Sequence, residues 1–195
     1  MRISTSSGAP YFTKRRNVVS DTIPFQLVSG SNSIIYPGGD SYPITSVLGW
    51  RGQEGGPEPD DVKQRVIFMF PFAVNIEELR FYQPAIAAWQ KCGINSAMIS
   101  MRAVEEKITN LFNTKGDDYC VVTDFSKFDQ HFNSSLQDAA RTCISYMLGE
   151  DHMSSESRMW LDQTYPIKFR IPLLCSEGLM YEGDHGMGSG SGGLS

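Results

Sequence analysis

Two aspartates mark where this sequence could do chemistry. In "VVTDFSKFDQHF", residues 121–132, Asp124 closes an apolar run and Asp129 follows five positions later. A carboxylate at the end of a core-like run is costly to bury unless it is paired or holds a cation, whereas a lone one is equally well a solvated strand end. Five is an odd spacing, so an unbroken strand would send the two carboxylates to opposite faces. They can approach one site only if the chain turns through Ser126 to Phe128. A strand that delivers one carboxylate and a turn that delivers the next suit a hard divalent cation and a hydroxyl-bearing ligand. Magnesium favours a few carboxylates plus substrate phosphate oxygens, and phosphoryl transfer often uses two such ions to clamp the attacking and leaving oxygens.

The stretch "DFSKFDQHF" resembles motif A of viral RNA-dependent RNA polymerases, and its fuller wording is similar to that of the picobirnavirus polymerases. The resemblance implies that Asp124 binds catalytic magnesium, with manganese as an alternative. It also implies that Asp129 senses the ribose 2′-hydroxyl of the incoming nucleotide, the group that distinguishes RNA from DNA and one that a carboxylate can accept from. Three other stretches extend the likeness. "TSSGAPY" resembles the template-holding motif G, which makes Thr5, Ser6, Gly8 and Pro10 template contacts. "KQRVIFMFP" resembles the end of motif F and assigns Arg65, with Lys63, to the nucleotide triphosphate, where a guanidinium can bind phosphate in bidentate fashion. "GMGSGSGGLS" resembles the start of motif B and carries over Ser189 and Gly190 to template and nucleotide. The order G, F, A, B matches the family along nearly the whole chain.

By this resemblance the fold class is α+β, the fingers and first part of the palm of a right-hand polymerase. Residues 1–75 would be fingers, 76–133 early palm ending in motif A, 134–183 a fingers insertion of helices and a hairpin, and 184–195 the return to palm. Leu194 stands near the position where motif B usually has threonine, and the later asparagine is absent. Motif C, with its paired aspartates, and the thumb are absent too, so the chain reads as a piece of a longer enzyme and is expected to be inactive alone. The implied partners are RNA template, nascent RNA and nucleoside triphosphates, and the implied setting is the host cytoplasm or a virion interior. Two other readings fit the aspartates: a two-metal nuclease or nucleotidyltransferase, and an RNA-binding or structural module with a glycine-rich tail. The first leaves Thr5–Pro10 and Ser189-Gly190 as coincidence.

Composition sets the frame for these residues. Lys and Arg number 17 against 22 Asp and Glu, a net charge of −5, so any cationic surface must be local, as at Lys14–Arg16. The four cysteines lie far apart without zinc-ligand spacing and are read as reduced, mostly core thiols. No apolar run is long enough to span a bilayer, and the N-terminus lacks a secretory signal's apolar core.

Several elements must position the aspartates. Short β-like runs with Gly, Ser and Pro fill residues 1–50, and "RGQEGGPEPDD" (51–61) reads as an exposed loop before the strand "QRVIFMFPFAV". Helical spacing begins at "NIEELRFYQ", and Pro84 should break and restart it. Met101, Val104, Ile108, Leu111 and Phe112 predict a second helix, and "DDYCVVTDF" a strand. Leu136, Ala139, Ala140, Cys143, Ile144, Met147 and Leu148 predict the best-defined helix, with Ser134 and Gln137 as a capping box. A further helix should cover Ser155–Gln163, and "YPIKFRIPLLCSEGLMYEG" should form a hairpin turning at Ser176–Gly178. Tyr82, Trp89 and Trp160 are read as core. His131 is read as packing the turn, and His152 and His185 are assigned no role.

Overall fold

The computed structural model of the chain describes residues 2–58 and 60–189. It divides into two compact units, Met1–Glu78 with Lys127–Ser195, and Leu79–Ser126.

The larger unit contains two sheets. Strands β1 (Gln26–Val28), β2 (Ser33–Ile35) and β3 (Ser41–Pro43) form an antiparallel meander after a short helix α1 (Val19–Thr22). The second sheet has the order β5-β4-β6-β7 and comprises β4 (Ser46–Glu54), β5 (Val62–Met69), β6 (Leu173–Ser176) and β7 (Leu179–Tyr181). Its neighbours are antiparallel except β4 and β6, which a long crossover brings side by side in parallel. Ser46 fixes that junction, its amide and its hydroxyl both donating to the Pro172 carbonyl at 2.8 and 2.7 Å.

The core gathers Ile34, Tyr36, Ile44, Phe70, Ala73, Val74 and Ile171, with Tyr11, Leu27, Phe68 and Ile167 packed against it. Strand ends, the first turn of helix α2 (Phe72–Cys92) and the crossover therefore share one apolar centre. The remaining helices of this unit are α4 (Phe128–His131), α5 (Ser134–Met147), α6 (Ser155–Met159), which runs into a π turn at Trp160–Thr164, and α7 (Ile167–Arg170). The smaller unit holds the rest of α2, a 3₁₀ turn at Ser96–Met98 and helix α3 (Met101–Thr114). Ser100 caps α3 by accepting from the Ala103 amide at 3.1 Å.

An α+β architecture is what the sequence predicts, and the hairpin turn falls between β6 and β7 as expected. Six local expectations change. Helix α2 continues through Pro84, at the cost of the one amide donor that proline lacks. Strand β4 runs on to Glu54, because Arg51–Glu54 find ladder partners in Arg65–Val62, so the exposed loop is shorter than residues 51–61. Residues 167–170 are helical rather than strand. Asn133, not Ser134, caps α5, accepting from the Leu136 amide at 3.1 Å. Cys92, Cys120 and Cys143 are exposed rather than core.

The sixth change concerns the run before Asp124, which forms no strand: residues 118–125 carry no regular structure. Tyr119, Val121, Val122 and Phe125 are 97, 86, 90 and 73% exposed. β-forming residues fit a ladder rather than create one, and among the described residues no strand is laddered to this stretch. Trp160, by contrast, is buried as expected and donates its indole N–H to the Glu77 carbonyl at 2.8 Å.

Candidate active site

Asp129 sits half-buried on α4, just past the expected turn. Lys127 makes that turn in the left-handed conformation, with φ of 51°. So short a helix cannot hold itself, because one turn yields too few hydrogen bonds to offset the backbone ordering. Aromatic packing supplies the anchor. Phe128 meets Phe132 edge-on at 5.6 Å, Phe132 stacks on Phe169 at 5.8 Å, and Phe169 meets Tyr165 at 5.3 Å. Tyr165 is buried and donates its hydroxyl to the Gln137 carbonyl at 2.7 Å, and burial raises its pKa to about 12.

The glycine-rich loop docks directly on this turn. The Met187 amide donates to the Asp129 carbonyl at 2.8 Å, and the Gly188 amide to the Lys168 carbonyl at 3.0 Å. Gly186 has no room for a side chain, since a Cβ there would collide with the Asp129 carbonyl oxygen and lie 2.8 Å from that of Gln130. At the loop's far end the Ser189 carbonyl accepts from the Phe68 amide of β5 at 2.7 Å. Asp129, Ser189 and the strand that carries Arg65 are thus joined through their backbones. Gly190 and the Lys63 side chain lie outside the described residues.

Arg65 projects from β5 into solvent directly opposite Arg51 of β4, which is also exposed. Like charges at facing positions of an antiparallel pair repel. A hairpin that keeps two guanidiniums there is suited to an anion that both can bind. Arg51 escaped the sequence reading because it fell in the supposed loop. Extending the hairpin register back from "KQRV" would have paired it with Arg65.

The N-terminal loop is fastened from beneath. Gly8 is buried with φ of +64°, and a Cβ there would lie 2.9 Å from the Phe70 carbonyl carbon and 3.2 Å from the Met69 oxygen. The Ser7 carbonyl accepts from the Phe72 amide at 2.8 Å. Half-buried Arg15 donates to the Ser6 carbonyl at 3.1 Å and to the Asn75 amide oxygen, while Asn75 in turn donates to Glu78 at 3.3 Å. Thr5 and Ser6 are exposed and Pro10 is half-buried, so solvent meets these residues while Gly8 serves the packing. Buried Lys168 lies over the rings of Tyr165 and Phe169. Its burial lowers its pKa to about 8 despite the opposing charge of Glu78.

Asp124 belongs to the smaller unit and is exposed, with one carboxylate oxygen accepting from the Phe125 amide at 2.9 Å. Its hard oxygen donors fit magnesium. Among the described residues, however, no group of three or more His, Cys, Asp or Glu converges on a metal position. Among the described residues, Asp124 therefore offers a cation a single carboxylate rather than a cage. No helix of the described residues is long and apolar enough to cross a membrane.

Known proteins match this chain closely. The chain is 51% identical over 195 residues to a potential RNA-dependent RNA polymerase of human picobirnavirus (strain Human/Thailand/Hy005102/-), covering 99% of this chain and 36% of that protein. Crystal structures of a human picobirnavirus RNA-dependent RNA polymerase and of its insertion-loop deletion mutant superpose with a TM-score of 0.84 at 50% identity. They cover 99% of this chain and 36 and 38% of those chains. The chain thus spans little more than a third of the length of these relatives. Its residues 60–192, which include Arg65, Asp124, Asp129 and Ser189, match the family described as viral RNA-dependent RNA polymerase, and the chain belongs to that family.

Proposed function

We propose that this chain forms the fingers and early palm of a polymerase that joins nucleoside triphosphates to the 3′ end of RNA on an RNA template, for viral genome replication and transcription. The observation that carries the reading is the backbone junction of Met187 with Asp129 and of Ser189 with Phe68. It joins the Asp129 turn, a glycine-rich loop and a two-arginine hairpin, which supports reading Asp129 as the carboxylate that senses the ribose.

In this reading Arg65 and Arg51 hold the triphosphate, which relieves their mutual repulsion. Asp129 accepts a hydrogen bond from the ribose 2′-hydroxyl, and Thr5 and Ser6 face the template. Asp124 would hold magnesium, which when bound neutralises the charge developing on the attacking and leaving oxygens. The chain by itself brings one carboxylate to that task, so incorporation is expected only from the longer polypeptide.

The test is template-directed incorporation by the full-length protein containing this chain. Asp124→Asn should abolish incorporation with the fold intact. Asp129→Ala should narrow the preference for ribo- over 2′-deoxynucleotides. Undiminished incorporation by Asp124→Asn would refute the metal assignment, and RNA binding without any incorporation by the unmutated protein would favour a binding module.

A further inference from the structure

Gln137 looks from sequence like part of a helix cap, and His185 looks idle. The structure gives both another place. The Gln137 side chain leaves the cap to Asn133 and points its amide at two loop carbonyls, Phe132 at 2.9 Å and His185 at 3.2 Å. Phe132 ends the turn that bears Asp129, and His185 begins the glycine-rich loop, so one side chain spans both. Its own carbonyl is held by the buried Tyr165 hydroxyl.

His185 closes the other side. Its amide donates to the Phe169 carbonyl at 2.9 Å, and its ring nitrogens lie 3.1 Å from the Ile171 carbonyl and 2.6 Å from that of Gly186. The ring packs 5.2 Å from that of Phe68 on β5. Beyond this clasp the Met187 amide donates to the Asp129 carbonyl, and Gly186 leaves no slack in that contact.

We propose that Gln137 and His185 are positioning residues that clasp the Asp129 turn to the glycine-rich loop, so that the ribose-sensing carboxylate and the loop are placed as one body. The part concerning ribose choice rests on the function proposed above; the clasp itself does not. Gln137→Met keeps the side-chain length and removes both donors, while His185→Gln retains a donor of similar reach and His185→Phe does not.

Two measurements separate the claims. In the full 195-residue chain, hydrogen exchange at the Met187 amide should quicken about tenfold in Gln137→Met, the equivalent of one lost hydrogen bond, while the Ile144 amide of α5 reports that the helix remains folded. An unchanged Met187 rate in that variant and in His185→Phe overturns the clasp. In the full-length protein, Gln137→Met and His185→Phe should lower the ratio of kcat/KM for ribo- over 2′-deoxynucleotides by about tenfold, with His185→Gln restoring most of it. A purely structural role would lower both rates together and leave the ratio fixed. A fixed ratio in both variants, where Asp129→Ala changes it, overturns the positioning role alone. A fixed ratio in Asp129→Ala as well refutes the ribose reading and leaves exchange at Met187 to decide the clasp.

Discussion

Replacing Gly8 with alanine tests whether the N-terminal loop is held by the close approach of its backbone to β5. The residue has φ of +64°, and the added Cβ would lie 2.9 Å from the Phe70 carbonyl carbon and 3.2 Å from the Met69 oxygen. The left-handed conformation alone costs a non-glycine residue about 1–2 kcal/mol. Backbone atoms cannot swing aside as a side-chain tip can, so overpacking adds about 1–3 kcal/mol. A total of about 2–5 kcal/mol follows. With a urea slope of about 2 kcal/mol per molar, the unfolding midpoint should fall by about 1–2.5 M. Gly149→Ala is the control: that glycine has φ of +74°, nothing within 4 Å of its added Cβ, and a place in the same compact unit. It should fall only by the conformational share, about 0.5–1 M. Equal losses in the two variants would refute the close approach as what fastens the loop.

Removing one of the facing arginines should stabilise the free protein and weaken nucleotide binding together. Arg51→Thr is expected to raise stability by about 0.5 kcal/mol in low salt, read by urea unfolding, and to raise the nucleotide KM of the full-length protein. Lys168 predicts a pH signature. Its pKa is lowered in the folded state to about 8 from 10.5, so the cost of its buried charge is borne in full below pH 8 and disappears as the pH rises to 10.5. Comparing wild type with Lys168→Met, the balance should move toward wild type by about 3 kcal/mol across that window; a flat difference would contradict the burial argument. Gly186→Ala should separate the loop from Asp129 and quicken exchange at the Met187 amide, because its Cβ has no space beside the Asp129 and Gln130 carbonyls.

Much of this protein was determined by local sequence. Periodic apolar residues set α3 and α5, a short run of β-branched and aromatic residues set the strand at β5, and Gly178 set the β6–β7 turn, because each depends on neighbours within a few residues. The short motifs carried the family because residue types and their order along the chain suffice for that. Other features belong to tertiary structure. The run before Asp124 has strand-forming residues and yet no strand, since a ladder needs a partner that sequence position cannot supply. The Arg51–Arg65 face depends on a hairpin register, which a one-residue slip would reverse. Gln137 reads locally as a cap, and only the return of the chain at His185 gives its amide a second carbonyl to bind. The junction of Asp129 with Met187 joins residues 58 positions apart, with backbone atoms that any sequence possesses. Packing alone decides that contact, because the aromatic anchor beneath α4 and the missing side chain of Gly186 determine where those atoms meet.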